Sequence, residues 1–176
     1  RITLRQKPRL SRRPDTWCYP WDPEDRLTSV VTPDGTTWRY GYDPLGRRIT
    51  KQRLASDAET ALEQVDFTWD GTALAEQTTH TPGTTGPAVT LTWDHQGLRP
   101  LTQSERRTPA EAPQQEIDSR FYAIITDLIG TPTELIDEQG TLAWHTRTTL
   151  WGTTTWNRGA TAYTPLRFPG QYHDPE

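Results

Sequence analysis

The 176 residues carry a net charge of −4, 32% hydrophobic side chains, one cysteine and no methionine. No apolar run approaches the ~20 residues that a membrane-spanning helix needs, and Cys18 has no second cysteine with which to close an internal disulfide. Eight Trp and six Tyr offset the thin apolar content, and with abundant Thr, 15 Pro and 12 Gly they make an all-β composition.

Residues 1–13 hold the basic side chains Arg1, Arg5, Lys7, Arg9, Arg12 and Arg13 and no acid, on a body that is acidic. The arm, residues 1–16, is expected to be irregular and solvated. Pro8 and Pro14 interrupt it and no aromatic is interleaved as a stacking platform, which argues against nucleic acid as a partner. Trp21-Asp22-Pro23-Glu24-Asp25-Arg26-Leu27 then opens a pattern, and Thr32-Pro33-Asp34-Gly35 is a hairpin turn.

The pattern is clearest at Trp38-Arg39-Tyr40-Gly41-Tyr42-Asp43-Pro44-Leu45-Gly46-Arg47. Trp38, Tyr40 and Tyr42 alternate as a half-buried strand requires, and Asp-Pro-x-Gly matches a type I turn. Gly46 supplies a positive φ without a Cβ penalty. Ala55 to Gln64 is the one helical candidate, because Ser56 followed by Glu59 has capping-box form.

Val65, Phe67 and Trp69, then Val89, Leu91 and Trp93, give two further period-2 strands. They end on Asp70-Gly71 and on Asp94-His95-Gln96-Gly97-Leu98-Arg99, both read as worn copies of the same turn. His80–Pro87 and Gln103–Glu116 read as surface loops between hairpins. Phe121 to Ile125 is a continuous apolar run, consistent with a fully buried strand. Asp127-Leu128-Ile129-Gly130 repeats the acid and glycine, Asp137-Glu138-Gln139-Gly140 is another hairpin turn returning through Leu142 and Trp144, and Trp156 to Gly159 is a turn.

The anchoring acids Asp22, Asp43, Asp70, Asp94 and Asp127 stand 21, 27, 24 and 33 residues apart, the period of a strand pair with insertions absorbed in loops. The turn residues of this reading are Asp22, Asp43, Gly46, Asp70, Gly71, Asp94, Gly97, Asp127 and Gly130, with a structural role. Arg26, Arg47 and Arg99 follow the turns and can pair with a turn aspartate while their stems pack on an aromatic, or line a basic surface.

Reactive chemistry has little to stand on. His80, His95, His145 and His173 are scattered with no pair at ligand spacing, and His95 reads as an exposed turn residue. Cys18 lies between Trp17 and Tyr19 without a base beside it, and neither a G-x-S-x-G elbow nor a phosphate-cradling glycine loop occurs. No catalytic residue, metal ligand or cofactor is assigned.

The recurring aromatic-Asp-x-x-Gly-Arg unit resembles the YD repeats of bacterial Rhs proteins, which are shared with the teneurins. Thr126-Asp127-Leu128-Ile129-Gly130-Thr131-Pro132-Thr133-Glu134-Leu135 looks like the TDxLGTPxEL element of that family. Leu150-Trp151-Gly152 and the run Pro165 to Glu176 (PLRFPGQYHDPE) look like the start of the Rhs core-associated region. Asp25 departs from the pattern by replacing a glycine, and Leu128 stands where the family has His.

The resemblance implies an all-β fold of antiparallel hairpin repeats in a curved sheet, part of a YD-repeat shell, with a repeat module over 17–164 and a core-associated start over 165–176. It also implies partners: neighbouring repeats of the parent chain and an enclosed C-terminal effector, in a secreted or cell-surface bacterial protein engaged in competition between bacteria. In the family a downstream Asp-Pro motif belongs to an autoproteolytic site. Asp174-Pro175 lies before that region, so the role is not carried over. The absence of methionine reads as a processed product or an internal piece, and an isolated piece with unpaired strand edges is expected to be marginal in stability. Two other readings stand beside this one: a surface adhesion module using its aromatics for glycans, and a gene remnant with no independent role.

Overall fold

The structure, a computed structural model, describes residues 1–10, 13–84, 86–108, 118–149 and 154–176. Its elements are strands alone: β1 (Leu4–Lys7), β2 (Asp15–Cys18), β3 (Ser29–Val31), β4 (Thr37–Tyr42), β5 (Arg48–Leu54), β6 (Ala61–Asp70), β7 (Ala73–His80), β8 (Ala88–Gln96), β9 (Arg99–Thr108), β10 (Asp118–Thr126), β11 (Pro132–Asp137), β12 (Leu142–Thr148) and β13 (Thr154–Trp156). In the 13-stranded sheet the spatial order is the chain order, β1 through β13. Every described pairing is antiparallel. The fold is all-β, hairpin after hairpin.

The chain forms two compact units, one of Arg1–Phe67, Thr78–Ala88 and Glu176, the other of Thr68–Gln77 and Val89–Pro175. In the first, Tyr40 of β4 stands opposite Lys51 of β5, which stands opposite Val65 of β6. Because opposed residues share a sheet face, this row and its neighbours Val30, Leu54 and Phe67 form one buried face. The other face is polar: Arg39 donates to Gln52 Oε1, Gln52 to Gln64 at 2.7 Å, and Gln64 to Asp66 at 2.6 Å.

In the second unit Leu91, Trp93, Tyr122, Ile124, Leu135, Ala143, Trp144 and Leu166 form the core, with Leu135 and Trp144 fully buried and directly opposed across β11 and β12. Gln103, also fully buried, accepts from Trp93 Nε1 at 2.8 Å and donates to the Tyr163 carbonyl at 2.9 Å, so its amide is satisfied at both ends.

Several sequence expectations change. The basic arm is not irregular throughout: residues 4–7 form β1, paired with Asp15–Cys18. Ala55 to Gln64 is not a helix. Ala58 takes φ +58°, which no helix interior accommodates, and the Asp57 carboxylate caps the amides of Glu59 and Thr60 at 2.9 Å, closing a tight loop before β6. Residues 103–108 belong to β9 rather than to a loop, and residues 109–116 of that stretch lie outside the described residues. Phe121 to Ile125 is a strand buried on one face: Tyr122 and Ile124 point in, while Phe121 and Ile125 remain 41% and 45% exposed. The Leu150-Trp151-Gly152 motif also lies outside the described residues.

Candidate functional site

The repeated feature with a definite geometry is the hairpin corner. At Asp43 the backbone amide donates to the Arg47 carbonyl at 2.9 Å and the Gly46 amide donates back to the Asp43 carbonyl at 3.0 Å. Gly46 has φ +78°. This is a three-residue loop, a type I turn followed by a left-handed residue that makes a bulge. The same pair of bonds joins Asp22 with Asp25 and Arg26, Asp127 with Gly130 and Thr131, and Asp137 with Gly140 and Thr141, and a further copy runs from Thr32 through Gly35 to Thr36. Asp25 adopts φ +67°, so the corner keeps its shape without glycine there.

The carboxylate explains why the acid leads the unit. Asp43 Oδ1 accepts from the amides of Leu45 and Arg47, both at 2.9 Å, and Oδ2 accepts from Arg47 Nε at 2.7 Å. Asp22 divides its oxygens the same way, with the Arg26 amide at 2.8 Å on Oδ1 and Arg26 Nε at 2.7 Å on Oδ2. Asp127 and Asp137 cap with Oδ1 alone, the fifth residue being Thr131 and Thr141. Partial burial would raise the Asp22 and Asp43 carboxyls, but the Arg amide and guanidinium bonds outweigh it and hold both below the usual carboxylate range. Asp34 is lowered by the Thr32 hydroxyl and the Thr36 amide, and Asp57 is brought down to about 2 by the Thr60 hydroxyl and the Glu59 and Thr60 amides.

Asp70 and Asp94 sit elsewhere. Asp70 is the last residue of β6, and Gly71, at φ +55°, opens a shorter turn into β7. Asp94 lies inside β8, which runs on to Gln96, so the turn is Gly97 (φ +65°) with Leu98, and the Asp94 carboxylate instead accepts from Thr102 Oγ1 at 2.7 Å across the hairpin. His95 is a half-buried strand residue rather than an exposed turn residue, and burial lowers its pKa. Without a proline after the acid, nothing stops the strand early, and the spacing Asp94 to Gly97 imitates the corner by coincidence.

Arg26 and Arg47 therefore clamp their own aspartates, while Arg99 donates to Thr126 Oγ1 at 2.8 Å. Arg26 lies over the Tyr42 ring, on the next hairpin rather than on the aromatic preceding it. Sequence reading passed over Arg48, whose guanidinium lies 5.1 Å from the Tyr40 ring centre and 5.2 Å from that of Phe67. It also passed over Lys51 as an inward strand residue. The available signal was the parity of Lys51 with Tyr40 once the Asp43 corner fixes the β4–β5 register. The corner carboxylates bind the backbone and the arginines of their own hairpins. Among the described residues no group of three or more His, Cys, Asp or Glu is placed to hold a metal.

Known proteins carry the same features. Residues 21–59 match the family model described as RHS Repeat and residues 122–158 the one described as RHS protein. The chain is 29% identical over 177 residues to the "Probable deoxyribonuclease RhsA" of Dickeya dadantii, an alignment that takes in 100% of the chain and 11% of that protein. It is 33% identical over 171 residues to the "Double-stranded DNA deaminase toxin A" of Burkholderia cenocepacia, covering 89% of the chain and 12% of the relative. The chain thus spans about a ninth of the length of these relatives. In the Tc holotoxin pore of Photorhabdus luminescens, a chain superposes on 90% of this one with a TM-score of 0.65 and 17% identity, over 8% of its own length.

Proposed function

This chain belongs to the Rhs repeat family, and we propose that its task is mechanical: it builds wall in a repeat shell that encloses a C-terminal effector, a toxin domain delivered to competing bacteria. One observation carries the reading. The aspartate corner recurs with the same hydrogen bonds in hairpins whose spatial order is their chain order, so the residues repeated most faithfully are spent on shape. The names of the relatives, a deoxyribonuclease and a DNA deaminase toxin, belong to proteins far longer than this chain and are attributed here to domains beyond the repeats. The wall itself is non-catalytic in this reading. Residues 17–164 are the repeat module, residues 165–176 begin the core-associated region, and Asp22, Asp43, Gly46, Asp70, Gly71, Asp94, Gly97, Asp127 and Gly130 are structural. The partners are adjoining repeats on either edge and the enclosed domain, and the parent protein is secreted or displayed at the cell surface.

The test is protection. In the full-length protein carrying this chain, a downstream domain resists added protease while the wall is intact. It becomes cleavable in a Leu135→Ala, Trp144→Ala double variant, which empties the fully buried pair of β11 and β12. Equal digestion of that domain in wild type and variant would remove the basis for enclosure.

A further inference from the structure

Within the first unit, the buried row Tyr40, Lys51 and Val65 contains a lysine that is 4% exposed, a position where an ammonium is expensive unless it is paired. Its surroundings meet that need. Lys51 Nζ lies 4.5 Å from the centre of the Trp38 ring and 2.8 Å from each oxygen of the Glu176 carboxylate, and Tyr40 donates its hydroxyl hydrogen to Glu176 Oε1 at 2.6 Å. The Glu176 side chain is itself 3% exposed. It lies 125 positions from Lys51 and 136 from Tyr40, whereas the other cations of this face are met locally, Arg53 by Glu63 at 3.3 Å and Arg48 by the rings of Tyr40 and Phe67.

We propose that Lys51, Tyr40 and Trp38 form a carboxylate-binding site on the β4–β5 hairpin, that its occupant is the side chain of Glu176, and that this capture is what fastens residue 176 to the first unit. The chemistry selects the ligand. Two donors, one of them cationic, converge on a single point, and the ring behind the ammonium attracts a cation but offers nothing to an anion. A neutral amide in place of the carboxylate would leave the ammonium without countercharge. Closing so long a loop costs entropy that grows only slowly with length, so one buried, fully bonded contact suffices as a fastening.

A double-mutant cycle reads the capture directly. Lys51→Met and Glu176→Leu each strand the other charge in an apolar setting and lower Tm by roughly 6–20 °C, while the double variant recovers at least half of that loss. If the two losses simply add, the proposal fails. If either single variant does not fold, a double variant that folds supports the site and one that does not overturns it. Chemical rescue supplies a second readout. In Glu176→Ala, sodium acetate raises Tm above its value in equimolar sodium chloride, and the effect vanishes in Lys51→Met/Glu176→Ala. No difference between acetate and chloride in Glu176→Ala overturns the site.

Discussion

One carboxylate at a corner holds two kinds of partner, a backbone on Oδ1 and a guanidinium on Oδ2, and this division is the physical content of the Asp-x-x-Gly-Arg spacing. The left-handed residue of the corner sets a pair of opposite expectations. Gly46→Ala forces a Cβ into φ +78° and costs about 1 kcal/mol, whereas Asp25→Gly relieves a side chain held at φ +67° and is neutral to stabilising by up to about 0.5 kcal/mol. Urea midpoints of the two variants check the signs. The lowered carboxyls predict an acid limb. Asp57 titrates at about 2 when folded and near the ordinary carboxylate value of about 3.9 when unfolded, so in that interval the unfolded chain binds more protons. Stability from Asp57, with Asp22, Asp34 and Asp43 in the same direction, is complete above about pH 4 and drains away as pH falls toward about 2. Urea titrations at stepped pH should show this slope, and Asp57→Asn should flatten it.

Strand parity decides the outcome of core substitutions. Leu135 is wholly buried and Ile125 is 45% exposed on the opposite face of β10, although both are large aliphatics in neighbouring strands. Leu135→Ala should cost about 2–5 kcal/mol and Ile125→Thr about 0.5 kcal/mol or less, read from the same urea midpoints. Parity also marks where sequence reading worked. Val65, Phe67, Leu91 and Trp93 alternate with polar residues and proved buried. Phe121 to Ile125 is apolar on both faces, so periodicity carried no information about which face is covered. The putting together of Ser56 and Glu59 into a capping box failed for a related reason: Asp57 between them bonds more of the local backbone than either could, and a loop with Ala58 at positive φ resulted.

At the level of the whole chain, sequential strand order means that most strands rest on their sequence neighbours, which is why local signals recovered so much of the architecture. The corners at Asp22, Asp43 and Asp127 were legible because their determinants lie within five residues. Asp94 was misassigned because the same spacing arises inside a strand, and the Glu176 contact was invisible because nothing short-range announces a partner 125 positions away. Nearest-neighbour coupling predicts that Leu135→Ala accelerates amide exchange first in β10, β11 and β12, with β3 to β5 protected as in wild type. Uniform acceleration across all strands would contradict it.

Because a corner specifies its bend from within its own few residues, a block bounded by two corners is a self-describing unit of inheritance. Unequal recombination could duplicate or drop such a block, and each surviving hairpin would still turn at its own aspartate with its register intact. The uneven distances between the corners are what lineages of that kind would accumulate.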